Sequence, residues 1–252
     1  MAPGFLEQGF LKQEMTMCGV FGFITREGKG PDIARLRRLA LRTQTRGEHA
    51  FGLAWLNHRG IIHTYKRQGP AQNYLDDLEQ CRNAVVLVGH CRFATHGSPA
   101  DNRNNHPHPA GRGEIVHNGV VFNHDHLVRH YSLHPQSQCD SEILGLLMKR
   151  CSGTVAQRAA WTANQTLGDQ AILGVWRNPA RLLIVRRGRP LCFGYDPDGC
   201  YLASLPEGLP GKVHGVADGS TCVMAYRNGQ LVQDGQQITL VPEDVQLHHV
   251  NP

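Results

Sequence analysis

The chain has 252 residues, 40% hydrophobic and 19% charged, the balance of an ordinary globular protein with room for one large domain or two small ones. No apolar run is long enough to span a membrane as a helix, and Met1–Met17 lack the basic start and hydrophobic block of a secretory signal, so the chain reads as cytoplasmic. A formal net charge of +5 with arginines spread throughout is too mild and diffuse to specify nucleic acid, and eight cysteines without a Cys-x-x-Cys pair read as reduced thiols rather than a zinc knuckle.

Residues 1–17 form a leader too short to be a domain. Met17-Cys18-Gly19-Val20-Phe21-Gly22-Phe23 follows, and its mostly apolar alternation predicts a buried strand. Asp32 is placed to cap a helix with Ile33, Leu36, Ala40 and Thr43 on one face and Arg35, Arg38 and Arg42 on a solvated one, ending at Arg46-Gly47. Phe51–Leu56 and Ile61–Lys66 read as a hairpin, and Tyr74–Cys81 as a short helix. The continuous apolar run Ala84–His90 predicts a buried central strand that delivers Cys91–Gly97. Ser98–Gly113 is a polar loop, Glu114–His117 a strand, and Asn118-Gly119 a tight-turn dipeptide. His124–Tyr131, Ser141–Arg150 and Thr154–Thr166 read as helices, with Asp140 capping the second. From Gly168 short strands recur with turn signals: Gln170–Arg177, Arg181–Arg187, Pro190–Phe193, Tyr201–Ser204, Thr221–Arg227 and Gln230–Leu240. Strands, then helices, then strands imply one α+β domain over residues 18–252, with stacked sheets.

The chemistry centres on Cys18. A cysteine directly after a methionine can become the first residue of a mature chain, carrying a thiol and a free α-amine. The amine, with an ordinary pKa of about 7.7–8, is partly unprotonated near neutral pH and can take the thiol's proton, whose ordinary pKa is about 8.5. A thiol attacking an amide needs oxyanion donors, and the Asn118 side-chain amide with the Gly119 N–H can supply them. A free amino acid carries a carboxylate, which Arg92 can bind in bidentate fashion, and an ammonium, which Asp140 can pair. Together these residues fit an enzyme that opens the side-chain amide of a zwitterionic amino acid. The histidines at 96, 106, 108, 117, 124, 126, 130 and 134 match no standard zinc spacing. For Cys91 and Cys139, strand alternation favours packing over chemistry.

From Cys18 to about Leu240 the sequence resembles the class II glutamine amidotransferases, whose glutaminase domain is an N-terminal nucleophile hydrolase, and is most like the glutaminase half of glucosamine-6-phosphate synthases. Met17–Gly22 resembles that family's start. Gly89–Gly97 resembles its glutamine-carboxylate segment and His106-Pro107-His108 the motif that follows. His117–Asn123 resembles the oxyanion segment, Cys139–Glu142 the α-amino segment, and Gly188–Leu191 and Leu202–Ser204 later landmarks. The resemblance implies a four-layer αββα sandwich of stacked antiparallel sheets. It implies hydrolysis of L-glutamine to glutamate and ammonia through a Cys18 thioester, without metal or organic cofactor. Asn118 and Gly119 would serve the oxyanion, Arg92, Thr95, His96 and Asp140 the substrate, and Arg46, Gly47 and His106 would support them.

The sequence departs from the family at His49, where the synthases usually carry aspartate, and at Phe93, where the sugar synthases carry tryptophan. The chain also ends where the glutaminase domain would end. The expectation is a free-standing glutaminase that supplies ammonia to a separate acceptor synthase, in a mature form lacking residues 1–17. Two alternatives stand beside it: a non-catalytic glutamine-binding regulatory module, and an amidohydrolase of the same fold acting on another amide. Arg92 with Asp140 favours a free α-amino acid over a peptide.

Overall fold

The structure, a computed structural model, describes residues 17–242. Of the expected leader it therefore includes Met17 alone.

The strands are β1 (Gly19–Thr25), β2 (Ala50–Asn57), β3 (Ile62–Gln68), β4 (Ala84–Arg92), β5 (His108–Pro109), β6 (Gly113–Gly119), β7 (Gln170–Trp176), β8 (Ala180–Arg187), β9 (Cys192–Tyr195), β10 (Gly199–Ala203), β11 (His214–Gly215), β12 (Ser220–Arg227), β13 (Gln230–Gln233) and β14 (Ile238–Thr239). They form two antiparallel sheets: β11-β9-β10-β1-β4-β2-β3, and β13-β12-β8-β7-β6-β5 with β14 paired to β12. The helices are α1 (Ile33–Gln44), α2 (His124–His130), α3 (Glu142–Arg150) and α4 (Val155–Gln165).

Three apolar clusters fill the three interfaces of this stack. Phe21, Phe23, Leu87 and Tyr201 meet Leu36, Leu39 and Ala40 of α1. Ile172, Trp176, Leu183 and Val185 meet Ile143, Leu144 and Leu147 of α3 and Ala159 and Ala163 of α4. Between the sheets lie Val20, Ile24, Val86, Val88, Val116, Leu173 and Leu182. Side chains alternate across a strand, so β1 sends Phe21 and Phe23 to α1, and Val20 and Ile24 to the opposite sheet. Strands covered on both faces read as unbroken apolar runs, which is why β1 and β4 are buried at every position. The result is the expected four-layer αββα sandwich.

Several local expectations change. The short helix expected over Tyr74–Cys81 is the end of one 3-10 turn, Ala71–Tyr74, and a second, Asp76–Cys81, which bury Leu78 and Cys81; Tyr65 Oη donates to Asp77 in its midst. Gln230–Leu240 breaks into β13 and β14 around Asp234-Gly235, with Gly235 at a left-handed φ of 86°. Arg35 leaves the solvated face of α1: it pairs with Asp196 at 3.3 Å and lies over the Tyr201 ring. The polar loop before β6 stands where expected, but Asn104, Asn105, His106 and His108 within it are buried.

Candidate active site

Asp32 caps α1 as expected, its carboxylate accepting from Ala34 and Arg35 N–H at 2.9 and 3.3 Å. The helix then delivers Arg46-Gly47 to the start of β1. Arg46 Nε donates to the Cys18 carbonyl at 3.0 Å. The other side of this strand start is tied to β10: Val20 N–H donates to Ser204 Oγ at 3.0 Å, and Ser204 N–H to the Val20 carbonyl at 2.9 Å. Gly47 is required by close approach, because a Cβ there would lie 2.4 Å from the Arg92 carbonyl carbon and 2.5 Å from Phe93 N. The end of the first helix thus packs directly on the end of β4, where Phe93 begins.

That contact matters because Phe93 brackets the Cys18 thiol. Its N–H donates to Cys18 Sγ at 3.3 Å, and the thiol donates to its carbonyl at the same distance. Burial pushes the Cys18 thiol up to about 11, against the lowering effects of the Phe93 N–H and the Arg92 and Arg46 charges. With Met17 attached, the sulfur is therefore a protonated thiol near neutral pH, and the nitrogen that could deprotonate it is a peptide amide. Met17 itself is held by Arg189, whose Nη1 lies 2.8 Å from its sulfur.

Arg92 is 2% exposed. It donates to Asn105 Oδ1 at 2.9 Å, to the Gly97 carbonyl at 3.0 Å and to the His96 carbonyl. It is thus the clamp of the 93–105 loop, a role the sequence did not reveal, and its charge acts on the Cys18 thiol. Thr95 is exposed, and its Oγ1 lies 3.3 Å from His96 Nδ1. His49 shapes the same loop: its Nδ1 accepts from Ala94 N–H at 2.9 Å and its ring stacks on Phe93.

Asp140 does not cap α3. Ser141 occupies the N-terminal position, and the Asp140 carboxylate instead accepts from Val121 N–H at 2.7 Å, with His96 Nδ1 3.8 Å away. The carboxylate is drawn inward to satisfy the connection that follows β6. No side chain caps the helix; Glu142, its first residue, turns back to accept from Gln136 and Ser137 N–H in the preceding loop. His96 and Asp140, distant in sequence, are thereby brought together.

Asn118-Gly119 is the end of β6 rather than a turn, paired with Ala171 and Gln170 of β7. Pairing with β7 overrides the turn preference of the dipeptide. Gly119 admits no side chain, as a Cβ would lie 2.2 Å from the Asp169 carbonyl oxygen. Asn118 is fully buried, and neither Nδ2 nor Oδ1 has a partner among the described residues. A buried amide left unpaired costs about 1–3 kcal/mol, so the position is kept polar at a cost. β6 faces β1 and β4 across the sandwich, and the two sheets are bonded there by His90 Nε2 and the His117 carbonyl at 3.0 Å.

A layer of buried imidazoles surrounds that bond. His90 and His106 rings lie 3.9 Å apart and His106 and His108 4.7 Å apart, while His117 Nδ1 is 2.8 Å from Ser141 Oγ. Burial lowers His90 to about 3 and His117 to about 4, and holds His106 and His108 well below their ordinary value, so all four are neutral near pH 7. The His106 carbonyl leaves room for no side chain at Gly52, where a Cβ would approach within 1.9 Å.

Two stacked antiparallel sheets faced by helices, with Cys18 just ahead of the first strand of one and the Asn118 amide, without a partner among the described residues, on the other, match the N-terminal nucleophile hydrolase fold. The glutamine phosphoribosylpyrophosphate amidotransferase from B. subtilis superposes with a TM-score of 0.71 at 19% identity, covering 86% of this chain and 49% of that one. A glutamine aminotransferase class-II domain protein from Silicibacter pomeroyi gives 0.58 at 16% identity, covering 89% of this chain and all of its own. No protein-family model matches the chain. In sequence, the glutamine–fructose-6-phosphate aminotransferase of Vibrio vulnificus strain YJ016 is 30% identical over 200 residues, 75% of this chain and 32% of its own length. That of Gluconobacter oxydans strain 621H is 31% identical over 242 residues, 91% of this chain and 36% of its own length. The chain belongs to the class II glutamine amidotransferases. It spans about a third of the length of the curated relatives it matches.

Proposed function

We propose that this chain hydrolyses L-glutamine to glutamate and ammonia, with Cys18 as nucleophile at the start of a mature chain that lacks residues 1–17. The observation that carries the reading is the buried Asn118 amide, without a partner among the described residues, on the sheet opposite the strand that Cys18 precedes. The thiol loses its proton to the free Cys18 amine and attacks the glutamine side-chain carbonyl. The oxyanion takes hydrogen bonds from Asn118 Nδ2 and Gly119 N–H. The amine returns the proton to the departing ammonia, leaving a thioester that water opens to glutamate. Arg92 and Thr95 bind the substrate carboxylate, and Asp140, beside His96, binds the ammonium. Arg46, Gly47 and His106 hold this frame.

The matched region is about a third of the length of the aminotransferase relatives. We propose that the ammonia released here goes in trans to a separate acceptor synthase. All eight cysteines are unpaired, as a reducing cytosol requires. Among the described residues no helix is long and apolar enough to cross a membrane.

A second reading draws on the thiol itself. With Met17 in place Cys18 is held up at about 11, so a chain that keeps its leader is an inert glutamine-binding module. One experiment separates the two: the 252-residue chain and a version starting at Met17 are expressed, and intact mass is compared with ammonia release from glutamine. Activity is expected only in material whose mass begins at Cys18. Activity with an intact leader removes the free-amine mechanism. Inactivity of both versions, with glutamine binding preserved, favours the regulatory module.

A further inference from the structure

Beside the site lies a cluster that takes no part in the proposed bond-making: His108 and Cys139 have no role there, and His106 only holds the frame. The ligand atoms of His106, His108 and Cys139 all fall within 4.8 Å of one another. The three residues are 3%, 2% and 5% exposed. Both ring nitrogens of His106 and Nε2 of His108 lack hydrogen-bond partners among the described residues. Unpaired buried imidazole nitrogens are costly, and here they converge with a thiol. Cys139 Sγ has a long contact of 3.9 Å to Asp140 Oδ1.

The backbone holds these donors in place. The His106 carbonyl is packed on Gly52 of β2, and His108 lies in β5, paired to Ile115. Gln138 N–H donates to Asn104 Oδ1 at 2.8 Å, which ties the cysteine segment to the histidine loop, and Cys139 N–H donates to Ser137 Oγ at 3.2 Å. The cysteine stands far from the histidine pair in sequence, which is why local zinc spacing does not reveal the set.

We propose that His106, His108 and Cys139 form a buried binding site for a thiophilic closed-shell cation, zinc(II) or copper(I). Two neutral imidazoles and one thiolate are borderline-to-soft donors that suit these ions and not magnesium or calcium. Metal–nitrogen and metal–sulfur bonds of about 2.0 and 2.3 Å place ligand atoms roughly 3.3–3.8 Å apart. Side-chain rotation of about 1 Å closes the cluster to that size. The Lys66 and Arg92 charges act on His108, and one thiolate with copper(I) adds no net charge beside them, whereas zinc(II) adds one. The thiol proton leaves to solvent as the metal binds, so affinity rises with pH.

Cys139 directly precedes Asp140. Drawing its sulfur onto a metal shifts the carboxylate that the proposed function assigns to the glutamine ammonium, and raises KM for glutamine. This coupling rests on that assignment; the binding itself does not.

The test uses the full chain carrying Cys18→Ala, which removes the site's other thiol. Each metal is titrated separately and anaerobically against a chromophoric chelator, with metal content measured after desalting. One equivalent of zinc(II) or copper(I) is expected to bind, at least about 100-fold more weakly after a further Cys139→Ser or His108→Gln. Cobalt(II) serves as a spectroscopic probe, with a thiolate charge-transfer band that Cys139→Ser abolishes. A melting curve on each variant identifies one that fails to fold, and the other then decides. No uptake of either metal, or uptake unchanged in both variants, overturns the site. With Cys18 intact, the bound metal should raise KM for glutamine in the parent and not in Cys139→Ser. Metal binding without that difference removes the coupling and leaves the site standing.

Discussion

The space between the two sheets has two halves built on the same strand faces. Toward the middle it is filled by Val20, Val88 and Val116. Two residues along each strand, the same alternation presents Cys18, His90 and Asn118. The first half is apolar and closed. The second holds a thiol between the two backbone polar groups of Phe93, a neutral imidazole bonded across the sheets, and an amide with no partner among the described residues. Strand period decides which side a residue faces; the residue type then decides whether that level becomes core or chemistry. A site made this way inherits the rigidity of the core beside it.

The largest expected effect is at the sulfur. Cys18→Ala should abolish glutamine hydrolysis while the melting temperature stays close to that of the parent. Residual hydrolysis above trace level would mean that the polar half does not work through this thiol.

Next comes acid. An unfolded chain protonates its histidines near the ordinary value of about 6.5. Burial keeps the folded rings neutral, down to about 4 at His117 and about 3 at His90. Below about pH 6.5 the unfolded state thus binds more protons, so stability falls on acidification, by about 1.4 kcal/mol per pH unit for each ring that stays neutral. Denaturant unfolding at about pH 7 and about pH 5 should show this loss. Equal midpoints would mean that the polar half is open to solvent protons.

Asn118→Ala should lower kcat by about 100-fold or more, as the loss of an oxyanion donor does, with the fold retained. Val116→Ala, one pleat away on the same face, should instead cost about 1–3 kcal/mol of stability and leave kcat within a few-fold of the parent. If the two variants gave the same pattern, the division between the halves would not hold.

The smallest effects concern substrate contacts. Arg92→Lys loses the bidentate fork but keeps a charge, and Asp140→Asn keeps the acceptor for Val121 N–H but loses its charge. Each should reduce kcat/KM with glutamine by about 10- to 150-fold, as expected for a charge-assisted hydrogen bond worth about 1.5–3 kcal/mol. Unchanged efficiency in both would place the substrate elsewhere.

Much of this was legible in the sequence, for identifiable reasons. Apolar runs such as Ala84–His90 mark strands covered on both faces, and the spacing of Ile33, Leu36, Ala40 and Thr43 marks the buried stripe of α1. Local rules failed where long-range partners outweighed them. Asn118-Gly119 has turn chemistry, but β7 pairs with it. Asp140 has capping chemistry, but the Val121 N–H lies within its reach. The stretch Asn104–His108 has the composition of a solvated loop; instead its amides bond the Cys139 segment and Arg92. None of these partners is near in sequence.

The close approach at Gly47 has a consequence for how variation in this protein is to be read. A methyl group there would press on the Arg92–Phe93 peptide, the same peptide whose N–H reaches the sulfur. If Cys18 is the nucleophile we propose, an allele at position 47 would present as a defect of that residue with the cysteine intact: normal expression, normal thiol content, no turnover. A screen for inactive variants would find it beside substitutions of Cys18, and a repair by a second mutation would have to come from the backbone around Phe93. Enlarging the cysteine's own neighbours would not restore it.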